Sequence, residues 1–254
     1  MISAVARIIQ PGAKADCALV LEGKQSLLKS TALRTLGAPW FADELAEFGS
    51  KDAALQLAGK WIIELAELDN VTRGEISRVK AFMSRAVDWY RPPYAKKPIE
   101  QPRQAVFAGT VNHKEYLRDE TGNRRFWPLE CTKIDIPGLQ AARDQLWAEA
   151  TERCHAAESW WLDNAEIIED AEDEQDARYQ HDEWERLIRG YIGAKEWVTV
   201  GGILENALNI QPDKWTQPDQ NRVARCLRHM KWHRKLVREA GTSKREWRYF
   251  APEA

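Results

Sequence analysis

No two cysteines in this chain stand at C-x-x-C spacing: Cys17, Cys131, Cys154 and Cys226 are the only four, and each lies far from the next. That spacing excludes a cysteine zinc site and a disulfide framework, so four reduced thiols are expected. A long hydrophobic run is missing too. The N-terminal stretch MISAVARIIQPGAKADCALV is too short and interrupted to span a bilayer, and Pro11 and Gly12 break what would be a signal-peptide core. A cytoplasmic protein of a bacterial host, with no membrane partner, is the expectation. Neither sign of charge prevails: 37 Lys and Arg against 39 Asp and Glu give a formal net charge of -2, which names no partner. No internal repeat is present. The 12 Trp are scattered, and they read as core or interface anchors rather than a stacking platform.

What is present is 254 residues, 44% hydrophobic and 30% charged, enough for one substantial core and a second, smaller one. Short apolar runs at 18–21, 61–65, 104–111 and 125–129 read as strands. Between them lie helical patterns such as 78–87, with Val79, Phe82 and Met83 on one side and Arg91-Pro92-Pro93 as the stop. Strands separated by helices imply an α/β fold with a mostly parallel sheet and helices on both faces. Residues 163–183 carry ten acids and Arg178 as the one strong base, the composition of a solvated helix or linker. After Trp184 the balance reverses, with fourteen Lys and Arg against eight Asp and Glu. The chain therefore divides into 1–162, 163–183 and 184–254.

The turn after the first strand carries chemistry. Gly23-Lys24-Gln25-Ser26-Leu27-Leu28-Lys29-Ser30, followed by Thr31, supplies the first Gly, the Lys and the Ser of the G-x-x-x-x-G-K-[ST] pattern. In such a loop the backbone N–H groups face phosphates, the lysine meets the β- and γ-phosphates, and the hydroxyl reaches magnesium. Leu28 replaces the second Gly, and its Cβ resists the positive φ that a phosphate cradle needs. Alone, this imperfect match favours the alternative, a plain strand-to-helix turn. Three further elements follow in the order a nucleotide hydrolase needs. Glu64 ends an apolar strand, with Glu67 and Asp69 behind it. One carboxylate there can hold magnesium and a second can polarise water, unless the acids are the exposed side of an amphipathic stretch. Asn112 ends the strand 106–111, where it can position water against a γ-phosphate or serve as a turn residue. Arg124 and Arg125 follow Gly122-Asn123 and can offer a guanidinium to the γ-phosphate of a neighbouring subunit, or form surface ion pairs.

Together, LVLEGKQSLLKSTALRTLG, WIIELAELD, VKAFMSRAVDWYRPPY, PRQAVFAGTVN and YLRDETGNRRFWPLE closely resemble the ATPase domain of the virulence-associated protein E family over roughly residues 15–162. That family is related to the superfamily-3 helicases of phages and mobile elements. The resemblance implies an AAA+/superfamily-3-like P-loop NTPase that uses ATP and Mg2+ and drives DNA replication of a phage or integrated element. It also implies a homo-oligomeric ring such as a hexamer, or assembly with other replication proteins. By that likeness Lys29 contacts phosphate, Ser30 and Glu64 hold magnesium, and Glu67 is the catalytic carboxylate. Asn112 is the sensor, and Arg124 or Arg125 is a finger acting in trans. Lys80, Arg91 and Arg103 sit in motif-like surroundings without an assigned role. Glycines are expected where Ser26 and Leu28 stand. The alternative is a non-catalytic regulator that keeps the fold with a degenerate loop. Because such helicases carry an upstream collar or primase-like domain, a fragment or shortened gene product is expected.

Residues 184–254 read as helices 185–192, 202–208 and 219–230, with short strands near 198–200, 235–238 and 245–250, the winged-helix order. Arg222, Arg225 and Arg228 recur at three-residue spacing on the third helix, and Lys244, Arg245 and Arg248 fall in the wing. These bases predict contacts to DNA phosphates, with a protein-docking module as the alternative. His229, Trp232 and His233 read as packing or solvated residues, because no Cys or acid joins them at metal-ligand spacing.

Overall fold

The computed structural model describes residues 1–48, 50–117, 122–238 and 245–252. The chain forms two compact units, Met1–Gln180 and His181–Ala254. The first unit opens with α1 (Ile2–Ile9), β1 (Ala18–Glu22), α2 (Lys29–Gly37), β2 (Phe41–Ala42), α3 (Lys51–Gln56), β3 (Ile62–Leu65) and α4 (Arg73–Met83). An antiparallel pair, β4 (Val87–Tyr90) and β5 (Ile99–Pro102), leads to β6 (Val106–Val111). A 3-10 turn (Asn123–Arg125) then enters β7 (Phe126–Glu130), followed by α5 (Ile136–His155) and α6 (Ala165–Asp176). Five strands form one sheet in the order β2-β3-β6-β1-β7, with every neighbouring pair parallel.

Burial explains why these runs became strands. Every residue of β3 and β6 is buried, as a parallel sheet covered on both faces requires. Strand alternation sorts the side chains between two layers. Val20, Ile63, Phe107 and Val111 pack with Ile76, Val79 and Phe82 of α4. Leu21, Ile62, Val106 and Ala108 pack with Ala4 of α1 and Leu33 of α2, and the half-buried Trp147 of α5 joins them. Glu64 and Thr110 share the parity of the second set, so they fall on the α2 side.

The helix expected over 78–87 starts and ends earlier. Thr72 and Glu75 form a reciprocal capping box at its start, and it stops at Met83. Val87 to Tyr90 join β5 instead, because a β-branched residue and two aromatics suit a strand better than a helix end. The acidic stretch is helical as α6. It is anchored by the buried Gln175, whose Nε2 donates to Phe126 O, and by a bridge between Leu117 and Tyr179.

The second unit contains α7 (Glu183–Ile192), β8 (Trp197–Val198), α8 (Val200–Asn206), α9 (Gln217–His229), β9 (His233–Arg238) and β10 (Arg245–Phe250), with strand order β8-β10-β9. Ile188, Ile203, Leu204, Val223, Leu227, Trp232 and Tyr249 form its core. α9 starts on a second capping box, Thr216 with Asp219, and carries Pro218 in its first turn. Among the described residues no helix is long and apolar enough to cross a membrane.

Candidate functional site

Open parallel sheets bind ligands outside the carboxyl ends of their strands, and several of the predicted residues gather at that edge. β1 ends at Glu22, and the chain turns through residues 23–28 into α2. Gly23 has φ +148, and a Cβ there would lie 2.6 Å from Cys131 O, so the turn admits only glycine. Ser26 (φ 69) and Leu28 (φ 64) are both left-handed. These are the two positions at which glycine was expected. The Leu28 side chain therefore does not prevent a left-handed conformation at this position. The backbone adopts it at a cost of about 1–2 kcal/mol, and the side chain is left half in solvent. Lys24, Gln25 and Thr31 are exposed, and Leu27 is half-buried beside Gly23.

Lys29 is the first residue of α2 and is buried. Its Nζ donates to Gly23 O (2.8 Å), Lys24 O (2.9 Å) and Asn112 Oδ1 (3.1 Å). Burial lowers its pKa, opposed by the nearby Cys131, Asp69 and Glu64. Ser30 Oγ donates to Glu64 Oε1 at 2.6 Å, and Thr110 Oγ1 donates to the same oxygen at 2.7 Å. Glu64 is 3% exposed, and its Oε2 has no hydrogen-bond partner among the described residues. A buried carboxylate oxygen left over beside a serine hydroxyl fits a hard divalent cation, which takes oxygen ligands. β6 lies between β1 and β3, which is why Asn112 at its end reaches Lys29. The Asn112 N–H donates to Asp69 Oδ2 at 3.2 Å.

Of the remaining predicted residues, Glu67 is exposed, and its carboxylate accepts from Asn70 Nδ2 at 3.0 Å. Asp69, buried, is the second acid tied to the site. Arg124 and Arg125 precede β7, whose first residue, Phe126, aligns with Ala18 at the start of β1. They stand at the opposite edge of the sheet from Lys29, roughly five residues or ~16 Å away at the rise of a strand. Arg124 is exposed. Arg125 is half-buried between Ser84 Oγ (3.2 Å) and Asp16 (3.8 Å). Arg103 is a core residue, paired with Asp88 beneath Phe82, and Lys80 donates to Asn123 Oδ1.

Sequence reasoning missed Thr110, for which two-residue spacing from Asn112 was the available signal. It also missed Glu22, 1% exposed at the end of β1, whose carboxylate is gripped by both Arg178 Nε and Nη2. No sequence pattern links residues 22 and 178.

A family profile described as the virulence-associated protein E-like domain matches residues 1–180, the whole of the first unit. The chain belongs to the virulence-associated protein E-like family. No curated protein matches the sequence. The apo structure of the NrS-1 C terminal region (305-718) is similar at 16% identity, covering 98% of this chain and 70% of that one, with a TM-score of 0.47. Its A form apo structure gives 15%, 99%, 70% and 0.46.

Beyond the virulence-associated protein E-like domain, α9 presents its arginines unequally. Arg222 is engaged by Asp182 and lies over the Trp184 ring, at 4.1 Å from its centroid. Arg225 is half-buried, whereas Arg228 and Arg245 are exposed. Lys244 lies outside the described residues, as does Thr121 in the virulence-associated protein E-like motif around Gly122.

Proposed function

We propose that the chain is a magnesium-dependent P-loop ATPase of AAA+/superfamily-3-like fold whose second unit is a DNA-binding winged helix, serving as a helicase-like motor in replication of a phage or mobile element. The observation that carries this reading is the meeting of Lys29, Ser30, Glu64 and Asn112 at one sheet edge, beneath a loop that is left-handed at residues 26 and 28. ATP with magnesium would supply the phosphoanhydride bond and its activated γ-phosphoryl group. Lys29 would meet phosphate oxygens in place of its two carbonyl contacts, and the N–H groups at the start of α2 would add their partial positive charge. Ser30 and Glu64 would hold the cation, while Thr110 keeps Glu64 Oε1 in place. Asn112, held by Asp69, steadies Lys29 and would orient the attacking water. Asp69 replaces Glu67 in this reading as the acid closest to the chemistry. Arg124 is too far from its own loop to serve it, so it acts on a neighbouring copy, which requires a homo-oligomer such as a ring.

The test is equilibrium binding of a fluorescent ATP analogue in magnesium, beside Lys29→Ala. Binding that disappears in the variant supports the reading, and equal binding by both proteins removes the loop from it. The second reading, a non-catalytic regulator that retains the fold, is favoured by the strain at Leu28. It predicts nucleotide binding without turnover, or no binding at all.

A further inference from the structure

We propose that His181, Glu185 and His229 form a binding site for a divalent transition-metal ion, zinc, in the second unit. The sequence hides this constellation. His181 and Glu185 are four residues apart where α7 begins, and His229 ends α9, so the third ligand is 44 residues from the second. In the fold one ligand atom from each lies within 4.8 Å of the others.

Glu185 is 3% exposed, and its two oxygens divide between the imidazoles, with Oε2 3.0 Å from His181 Nδ1 and Oε1 3.3 Å from His229 Nδ1. The two rings stand edge to face, with centroids 5.4 Å apart. In a tetrahedral zinc site with bonds near 2.0–2.1 Å, neighbouring ligand atoms are separated by roughly 3.3 Å, a separation that the ligand atoms of these three residues reach by closing in from within 4.8 Å of one another. The contact with His229 has that length without hydrogen-bond geometry, and Glu185 Oε1 has no hydrogen-bond partner among the described residues. Two imidazoles and a carboxylate form a known zinc donor set. The His181 side chain is 59% exposed, which opens a path for the ion and leaves a fourth position to solvent. Bound there, the ion ties the start of α7 to the end of α9, the helix that carries Arg225 and Arg228.

The experiment uses the full chain stripped by chelator, without nucleotide, so its outcome is independent of the ATPase reading. Equilibrium dialysis against zinc is expected to give about one ion per chain and a melting temperature that rises with zinc concentration. Cobalt(II) should give the visible absorption of a tetrahedral complex. His181→Ala, a mild change at an exposed position, should lose the stoichiometric ion and the thermal shift, whereas His155→Ala on α5 keeps both. Glu185→Gln, if folded by circular dichroism, should behave like His181→Ala. No stoichiometric zinc in the wild type, or His181→Ala binding zinc as the wild type does, overturns the proposal.

Discussion

Leu28 concentrates the tension between this chain's sequence and its site. A γ-branched residue at φ 64 and ψ 28 occupies a region that glycine enters freely. Leu28→Gly removes that strain but adds freedom to the unfolded chain, which offsets up to about 1 kcal/mol of the gain. Stability in urea should change by less than ~1 kcal/mol, while affinity for an ATP analogue rises several-fold. Equal affinities would show that the loop accommodates leucine. Glu64→Gln separates the charge of the site from its hydrogen bonds. Glutamine Oε1 still accepts from Ser30 and Thr110, so the fold should hold, and only the magnesium dependence of nucleotide binding should disappear. A titration with and without magnesium checks this, and a variant that still responds to magnesium excludes Glu64 as a ligand.

At the scale of elements, the acidic helix does more than its composition announced. Ten acids predict a solvated segment, and most of α6 is indeed exposed. One base decides its fate. Arg178, just past the helix, grips the buried Glu22 at the end of β1 and also binds Glu174. Hydrogen bonds from Arg178 to Glu22 raise the pKa of Arg178, and burial together with the Glu22 charge raises that of Tyr116. Arg178→Ala would strand the Glu22 carboxylate at the base of the loop and should cost about 3–5 kcal/mol. Arg178→Ala combined with Glu22→Gln should cost clearly less, which urea unfolding of both variants resolves. In the second unit, Thr216→Ala removes the capping box of α9 and should cost about 1 kcal/mol, read in the same way.

On the scale of the whole molecule, the proposed ATPase would need a second copy to bring an arginine to its loop, because Arg124 precedes β7 at the far edge of the sheet. Arg124→Ala and Lys29→Ala should each be inactive alone. Mixed, they should regain part of the ATPase rate, because a Lys29→Ala subunit can lend its Arg124 to a neighbour with an intact loop. No recovery on mixing, with oligomers intact, rejects action in trans. If the second unit binds DNA, Arg228→Ala with Arg245→Ala should weaken binding and reduce the salt slope by about 0.9 for each phosphate that is no longer neutralised.

The sequence by itself determined the buried strands, whose continuous apolar runs admit little else, and the order of elements after Trp184, where caps, prolines and periodic apolar residues agree. It also marked Lys29, Ser30, Glu64 and Asn112, because a loop pattern and strand ends are local signals. β2, β4 and β5 were not legible. The first has two residues, and the other two stabilise each other only by pairing across a turn. Tertiary structure alone distinguished Glu67 from Asp69, which are equivalent in the sequence until the fold exposes the first and buries the second. It alone brought Glu22 to Arg178 and Glu185 to His229. Contacts between residues that far apart in the chain arise from the packing of whole elements, and no local pattern encodes them.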